Sequence, residues 1–562
     1  MYSKFEFLEE FKGKIFSGDV PTLPELFLVS AARFPDSKCF TTYSPEEKIL
    51  TYSQAREKIF ILAGILISEK VKKGEAVILT GKNTPEWAVT YLAILAAGGV
   101  VVPIDYMLSD KEIDHLIEFT DARIIFVDEE KYDNIGKLPK REFKKYSLAK
   151  TKPDYILDIK GKELDKPVFT DPDDLAAILF TSGTTGTPKG VMLTHSNFVK
   201  DALLAQMNLD IYHTDVFYAL LPLHHSYSML AVFIETIATG AEVVFAPKLV
   251  VKQILSDLKK GEVTMFLGVP VLFNKILKGI LKGVKEKGVV VYSIIRVLLF
   301  ISGFVKKVFK VNIGKKLFKT VLEKASLSTI RVCISGGGPL SPSTFKIYNE
   351  LGIDFVQGYG LTETSPIAAL NPIENFKIKS VGKIIPGIDV KIIDPDQDGR
   401  GEIAIKGPIV MKGYYKNEEA TREVMTEDNY FLTGDVGYLD SENYLYLTGR
   451  KKSLIVTEGG KNVFPEEIED KFQLYDEIEQ VLVRGYIRDK KNMSEEIEAL
   501  FYPSDEMREK HSQAELEEHF RGIVSAVNKT LQQYMWITSI KVLDQPLEMT
   551  TTKKIKRHKV SE

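Results

Sequence analysis

Cysteine is almost missing from this chain of 562 residues: only Cys39 and Cys333 occur, far apart and with no C-x-x-C spacing. That scarcity excludes a disulfide framework, offers no pattern for a structural zinc site, and suits a reducing, cytoplasmic setting. An excess of either charge is also lacking, since 74 Lys and Arg against 77 Asp and Glu leave a formal net charge of -3. Such a balance gives no general reason to expect nucleic acid. Long apolar runs are scarce as well. The longest, Val289 to Ile301, contains Arg296 and falls short of the ~18 to 20 apolar residues a transmembrane helix requires. Met1 to Phe16 carries Glu and Lys throughout, so no signal peptide is expected. Repeats and low-complexity tracts are absent too.

What remains is ordinary globular material, 44% hydrophobic and 27% charged. A chain of this length exceeds one hydrophobic core and should divide into about two to four domains. From Thr51 onward, helical and strand patterns alternate. Gln54 to Glu69 reads as a helix, Ala76 to Leu79 as a strand, and Thr84-Pro85-Glu86 opens a helix running to a glycine stop at Gly98. Val100 to Val102, Arg123 to Val127, Glu242 to Ala246, Val263 to Leu267 and Ile330 to Ile334 read as buried strands of a parallel sheet. Around Pro386 the texture changes to short strands and tight turns, predicting a small antiparallel barrel or sandwich over about 380–449. A further shift follows Gly449-Arg450-Lys451-Lys452, where helix 466–475, strands near Val481 and Glu498, a helix over about 513–531 and a strand at Ile537 to Leu543 predict a compact α+β unit. The expected division is therefore an α/β body over 1–451 and a mobile α+β domain over 452–562, with its boundary at Lys452.

The densest chemistry lies in one loop, Thr181-Ser182-Gly183-Thr184-Thr185-Gly186-Thr187-Pro188-Lys189-Gly190, between an apolar run ending at Phe180 and another from Val191 to Leu193. Ser196 or Asn197 is placed to cap the helix that follows. Three glycines let backbone approach a ligand, five hydroxyls offer donors without bulk, and Lys189 adds positive charge, which is what a polyphosphate needs. The common G-x-x-x-x-G-K-[ST] spacing fails here, because Pro188 precedes the lysine and Gly190 follows it.

Further along, Ser335-Gly336-Gly337-Gly338 follows a strand end, where open α/β sheets bind ligands, and offers bare backbone to a flat ring. In Gln357-Gly358-Tyr359-Gly360-Leu361-Thr362-Glu363-Thr364, Tyr359 offers a stacking face, Thr362 a donor to phosphate and Glu363 a ligand for Mg²⁺. A G-x-G-x-x-G reading breaks at Glu363, which disfavours a nicotinamide fold. Asp435 in Thr433-Gly434-Asp435 offers a carboxylate to ribose hydroxyls, or else an ordinary Asx-turn.

The loop resembles the phosphate-binding signature of the adenylate-forming superfamily: acyl-CoA synthetases, luciferase-type enzymes and peptide-synthetase adenylation domains. The other motifs follow in that superfamily's order from Thr51 to Arg557. By this resemblance Thr181, Ser182, Gly183, Thr184, Thr185 and Lys189 form the phosphate loop. Gly337, Gly338 and Tyr359 form the adenine wall, and Thr362 and Glu363 hold phosphate and magnesium. Asp435 and Arg450 contact ribose and phosphate, Lys452 is the hinge, and Lys554 in Met549 to Arg557 is the catalytic lysine. Lys553 stands where the family usually has glycine and is the alternative for that role. His225 in Pro222-Leu223-His224-His225-Ser226 matches a motif near the acyl pocket, or is a neutral core histidine. Gly338 and Gly358 leave room for the acyl chain, and Gly459-Gly460 resembles the thiol tunnel of long-chain members.

The fold implied is α/β, a large multi-subdomain N-terminal body of parallel sheets covered by helices plus a small β-barrel, with a smaller mobile α+β C-terminal domain. The activity implied is that of a long-chain fatty acid CoA ligase using Mg²⁺, ATP and CoA, with acyl adenylate as intermediate. The alternatives are an acyl-AMP ligase loading a carrier protein and an inactive membrane-associated lipid-binding protein. Between 271 and 324, thirteen Lys and Arg against two Glu are interleaved with apolar residues. That pattern suits peripheral contact with the inner face of an anionic membrane, or a solvated hairpin with an apolar face on the core.

Overall fold

In the computed structural model the residues described are 3–135, 143–181, 188–248, 250–457, 461–487, 495–550 and 554–560. The alternation of strands and helices builds two sheets, and the first reflects its sequence closely. Ala76–Thr80, Val100–Ile104, Ile124–Val127, Lys144–Ser147 and Leu175–Thr181 run parallel. Lys189–Thr194 and Gly413–Tyr414 then extend this seven-stranded sheet antiparallel. Val100–Ile104 is buried at every position, as a strand covered on both faces should be. The helix Pro85–Ala96 starts where Thr84 accepts a hydrogen bond from the Trp87 amide and proline fills the first turn. Its Trp87 stacks on Tyr91 at 5.3 Å and meets Phe233 edge-on at 5.8 Å, in the centre of the body.

The second sheet has thirteen strands among the described residues. Its parallel centre comprises Val216–Ala219, Glu242–Phe245, Met265–Gly268, Val332–Ser335 and Asp354–Gly360. The antiparallel strands expected around 380–449 are present and are continuous with this centre. Asp354–Gly360 pairs parallel with Val332–Ser335 through Gln357 and antiparallel with Ile367–Leu370 from Gly358 onward. The antiparallel part therefore starts before Pro386. Ile367–Leu370 is short and almost wholly buried, so it carries no alternation to announce its direction.

Ile478–Ile487, Glu495–Pro503 and Ile537–Val542 form a separate three-stranded sheet, covered by the helix Gln513–Asn528. Its core stacks Phe501 on Phe520 at 5.0 Å and sets Phe472 edge-on against Phe501.

Three sequence expectations change. The helix after the strand Lys189–Thr194 is capped by Thr194, not Ser196 or Asn197. The strand runs directly into His195–Ala205, and Asn197 reaches back to the Thr194 amide at 2.9 Å in a capping box. Helix 466–475 is shorter, Pro465–Glu469 followed by the 3₁₀ turn Asp470–Phe472. The apolar run at Val289 continues past Arg296 as one 21-residue helix, Val289–Phe309, which is long and apolar enough to cross a membrane by length and composition. Helical geometry carries Phe304, Val305, Val308 and Phe309 into the run across Ser302 and Gly303, which a count of unbroken apolar residues misses.

Candidate active site

The site forms where both sheets meet the C-terminal unit. Gly268, Ser335 and Gln357 lie side by side at the carboxyl ends of adjacent parallel strands, so the two glycine-rich segments emerge together. Gly337 has φ of +79°, a conformation that favours glycine. A Cβ added there would meet only the Lys554 Cε and Val269, both at 3.9 Å, and one at Gly338 would meet only Pro270. Beneath them the Tyr227 ring lies against Gly336, its hydroxyl donating to the Ile334 carbonyl at 2.9 Å. This leaves a flat, open backbone ledge beside a lysine.

Asp435 and Arg450 face each other because their strands, Phe431–Leu439 and Tyr444–Arg450, pair in that register. Arg450 Nε is 3.1 Å from one Asp435 oxygen, and the Tyr359 hydroxyl donates to the other at 2.8 Å. Tyr359 is buried, and burial followed by the Asp435 charge raises its phenol pKa well above the usual value. Lys554 shares this cleft. Protein crowds it on several sides although its surface reaches solvent; desolvation, then repulsion by Arg450, lowers its ammonium pKa, with Asp435 opposing. The tail is tied down locally, with the Thr550 amide donating to the Lys554 carbonyl at 2.8 Å, and Arg557 is anchored to Glu469 and to the Val483 carbonyl.

Glu363 marks the other side. Its pKa is raised chiefly by burial, while the Tyr414 hydroxyl, donating to it at 2.9 Å, and the charges of Arg450 and Lys189 pull the other way. Tyr414 pairs with Val191 across the sheet, and the Lys189 ammonium lies 4.7 Å from its ring centroid. Thr181 pairs antiparallel with Lys189 where the strands Leu175–Thr181 and Lys189–Thr194 meet. Ser182, Gly183, Thr184 and Thr185 lie outside the described residues, as do Gly459, Gly460 and Lys553. Among the described residues no cluster of three or more His, Cys, Asp or Glu could cage a metal. A single half-buried carboxylate such as Glu363 fits Mg²⁺ that is shared with substrate phosphates.

Thr362 Oγ1 lies 3.1 Å from Ser226 Oγ, which brings the His225 segment to the same turn. Burial, then the neighbouring His224 and the Lys554 charge, lowers the His225 pKa to about 3, so the ring is neutral at pH 7. His224 is likewise held neutral by burial, so its Nε2 at 3.8 Å from Asp105 makes no ion pair. Gly358 packs against the Ala369 carbonyl and Leu370, each 3.3 Å from an added Cβ, within the sheet. Lys452 sits in the 3₁₀ turn Lys451–Ser453, directly after the strand that carries Arg450.

The model of the AMP-binding enzyme family matches residues 27–415. The chain belongs to this family. A long-chain-fatty-acid CoA ligase of Mycobacterium bovis is 31% identical to this AMP-binding enzyme over 466 residues, 78% of this chain and 75% of the relative. One of Bacillus subtilis is 27% identical over 507 residues, 83% and 82% of the two chains. ATP-bound MatB from Rhodopseudomonas palustris superposes with a TM-score of 0.76 at 23% identity, covering 96% of this chain and 98% of that one. The o-succinylbenzoate CoA synthetase of Bacillus subtilis, in complex with its acyl-adenylate intermediate, gives 0.74 at 23% identity, covering 97% and 99%. Likeness at that identity speaks for the adenylate-forming fold.

Sequence reasoning missed Tyr414 and Tyr227 in this AMP-binding enzyme. Each reaches the site by a tertiary contact, and neither sits in a spacing that marks it. Gly413–Tyr414 is a two-residue strand, too short for any periodic signal.

Proposed function

We propose that this AMP-binding enzyme is a long-chain fatty acid CoA ligase, which uses ATP to make an acyl adenylate and passes the acyl group to CoA, releasing pyrophosphate and AMP. The observation that carries the first half-reaction is the meeting of Lys554 with Gly337 and the Arg450–Asp435–Tyr359 network in one cleft. Adenylation moves negative charge onto the α-phosphate as the carboxylate attacks in line, and preorganised cations stabilise that change. Lys554 and Arg450 supply the charge, Asp435 accepts from ribose, and Thr181 to Lys189 cradle the polyphosphate. Mg²⁺, when bound, neutralises phosphate charge, and Glu363 is the residue that would hold it.

The acid and the thiol are inferred from the relatives, which are long-chain-fatty-acid CoA ligases. The division into 1–451 and 452–562, with a hinge at Lys452, belongs to the same proposal. Lys554 must leave for the thiol to enter, and Gly459 and Gly460 would then line its path. Leu223, Val232 and Ile234, all buried, are the apolar residues that the acyl chain would run past.

The test is acid-dependent exchange of pyrophosphate into ATP over carboxylic acids of increasing length, followed by thioester formation with free CoA. Each buried methylene contributes ~0.8 kcal/mol, so kcat/KM should rise about fourfold per carbon until the site is filled. Acetate handled as well as a C12 or longer acid would overturn the long-chain reading. Transfer only to a carrier protein would overturn the CoA reading.

A further inference from the structure

The helix Val289–Phe309 is amphipathic the wrong way round for water. Val290, Ile294, Val297, Ile301, Phe304 and Val308 recur at three- and four-residue spacing, so they form one stripe along the helix. They face outward and are between 43% and 72% exposed. The opposite side is held to the protein: Leu299 and Ser302 are buried, and Gly303 approaches Glu350, where an added Cβ would lie 2.8 Å from its Cγ. On that inner side Lys306 donates to Asn349 at 2.8 Å and to Asp354 at 2.7 Å. Lys306 is thus turned inward and the hydrocarbon stripe outward, with Arg296 and Lys307 exposed to solvent. A helix so anchored cannot cross a bilayer, because spanning would expose Lys306 and its partners to lipid.

We propose that this stripe docks in the plane of an anionic lipid surface. The occupant follows from charge. Thirteen basic and only two acidic side chains lie between 271 and 324, and most of the basic ones are exposed, including Lys282, Lys285, Lys307 and Lys316. An apolar stripe embedded in positive charge matches acyl chains beneath anionic headgroups. A protein partner would need an apolar surface bearing unusual acidity, which a second copy of this chain does not offer in this region. The segment also touches the candidate site. The helix Pro270–Lys285, which precedes the stripe, begins against Gly338, and its Lys278 pairs with Asp476 of the C-terminal unit at 3.0 Å. Docking would hold the site beside the phase in which amphiphilic acids dissolve; the proposal itself stands on the exposed stripe and its charge, independently of the substrate.

The full chain is mixed with phosphatidylcholine vesicles, or with vesicles that also contain phosphatidylglycerol, and sedimented at low and high salt. Expected is binding to the anionic vesicles that weakens as salt rises, with little binding to the neutral ones. The exposed triple variant Ile294→Gln, Val297→Gln, Ile301→Gln should keep the parent melting curve and lose roughly tenfold or more in partition coefficient. Equal sedimentation with both vesicle types would overturn the proposal, as would unchanged binding by the triple variant. Light scattering is the second readout: a parent dimer that the triple variant converts to monomer would make this face a protein interface and sink the lipid reading.

Discussion

Lys554→Ala separates the two half-reactions, and the structure sets the size of the effect. The ammonium is desolvated by its cleft and shares it with Arg450, so it is one of two cations near the position where phosphate charge develops. A unit charge at ~4 Å from another, with an effective dielectric of ~20, is worth ~4 kcal/mol. Lys554 also keeps some contact with solvent, which places the loss nearer that of one preorganised donor, about 10² to 10³ in rate. Adenylate formation, followed by pyrophosphate exchange, should fall by that factor. Thioester formation from acyl adenylate supplied ready-made should stay within about threefold of the parent, because by then the lysine has left. pH gives an independent check. The lowered pKa means that adenylation fades as pH rises, before an ordinary lysine near ~10.5 would lose its proton, and Lys554→Arg should remove that alkaline limb. Equal damage to both half-reactions by Lys554→Ala would refute the reasoning.

Lys452→Pro tests the hinge: Lys452 lies in the 3₁₀ turn Lys451–Ser453, and a 3₁₀ turn takes φ of about -50 to -70°, which proline can adopt, although Lys451 before it would be strained. Adenylation should persist within about tenfold while acyl-CoA formation drops by 10² or more, and acyl-CoA at the parent rate would dismiss the hinge. Gly360→Ala places a Cβ 1.5 Å from the Pro366 carbonyl oxygen, forcing apart the strands that carry Tyr359 and the turn at Glu363. A loss of at least about 1–3 kcal/mol of stability is expected, read as a lowered melting temperature, together with impaired pyrophosphate exchange. His195 is buried with a pKa lowered to about 4 by desolvation, and its Nδ1 accepts the Leu23 amide at 3.2 Å. Between pH ~6.5 and ~4 the unfolded chain binds this proton and the folded chain does not, so stability falls as pH drops, on the order of 3 kcal/mol across that window. His195→Asn, which retains an acceptor, should flatten the acid limb of melting temperature against pH, and an unchanged limb would assign it to other groups.

The elements that sequence alone determined are those whose signal is local. Thr84-Pro85 and the apolar run behind it specify a buried helix, and Val100 to Ile104 a strand covered on both faces. The glycines and hydroxyls between Thr181 and Lys189 suggest a phosphate-binding chemistry in the same local way, because few other ligands need small donors and bare backbone together. Tertiary structure alone decided what the long-range register brings together. Asp435 meets Arg450 because two strands pair across a bulge, Tyr414 reaches Glu363 from the other sheet, and Lys554 arrives over Gly337 from a unit more than two hundred residues away. It also decided which way Val289–Phe309 faces. Periodicity fixes that an amphipathic helix has two sides, but only packing against Glu350 and Asp354 chooses which one is turned to solvent.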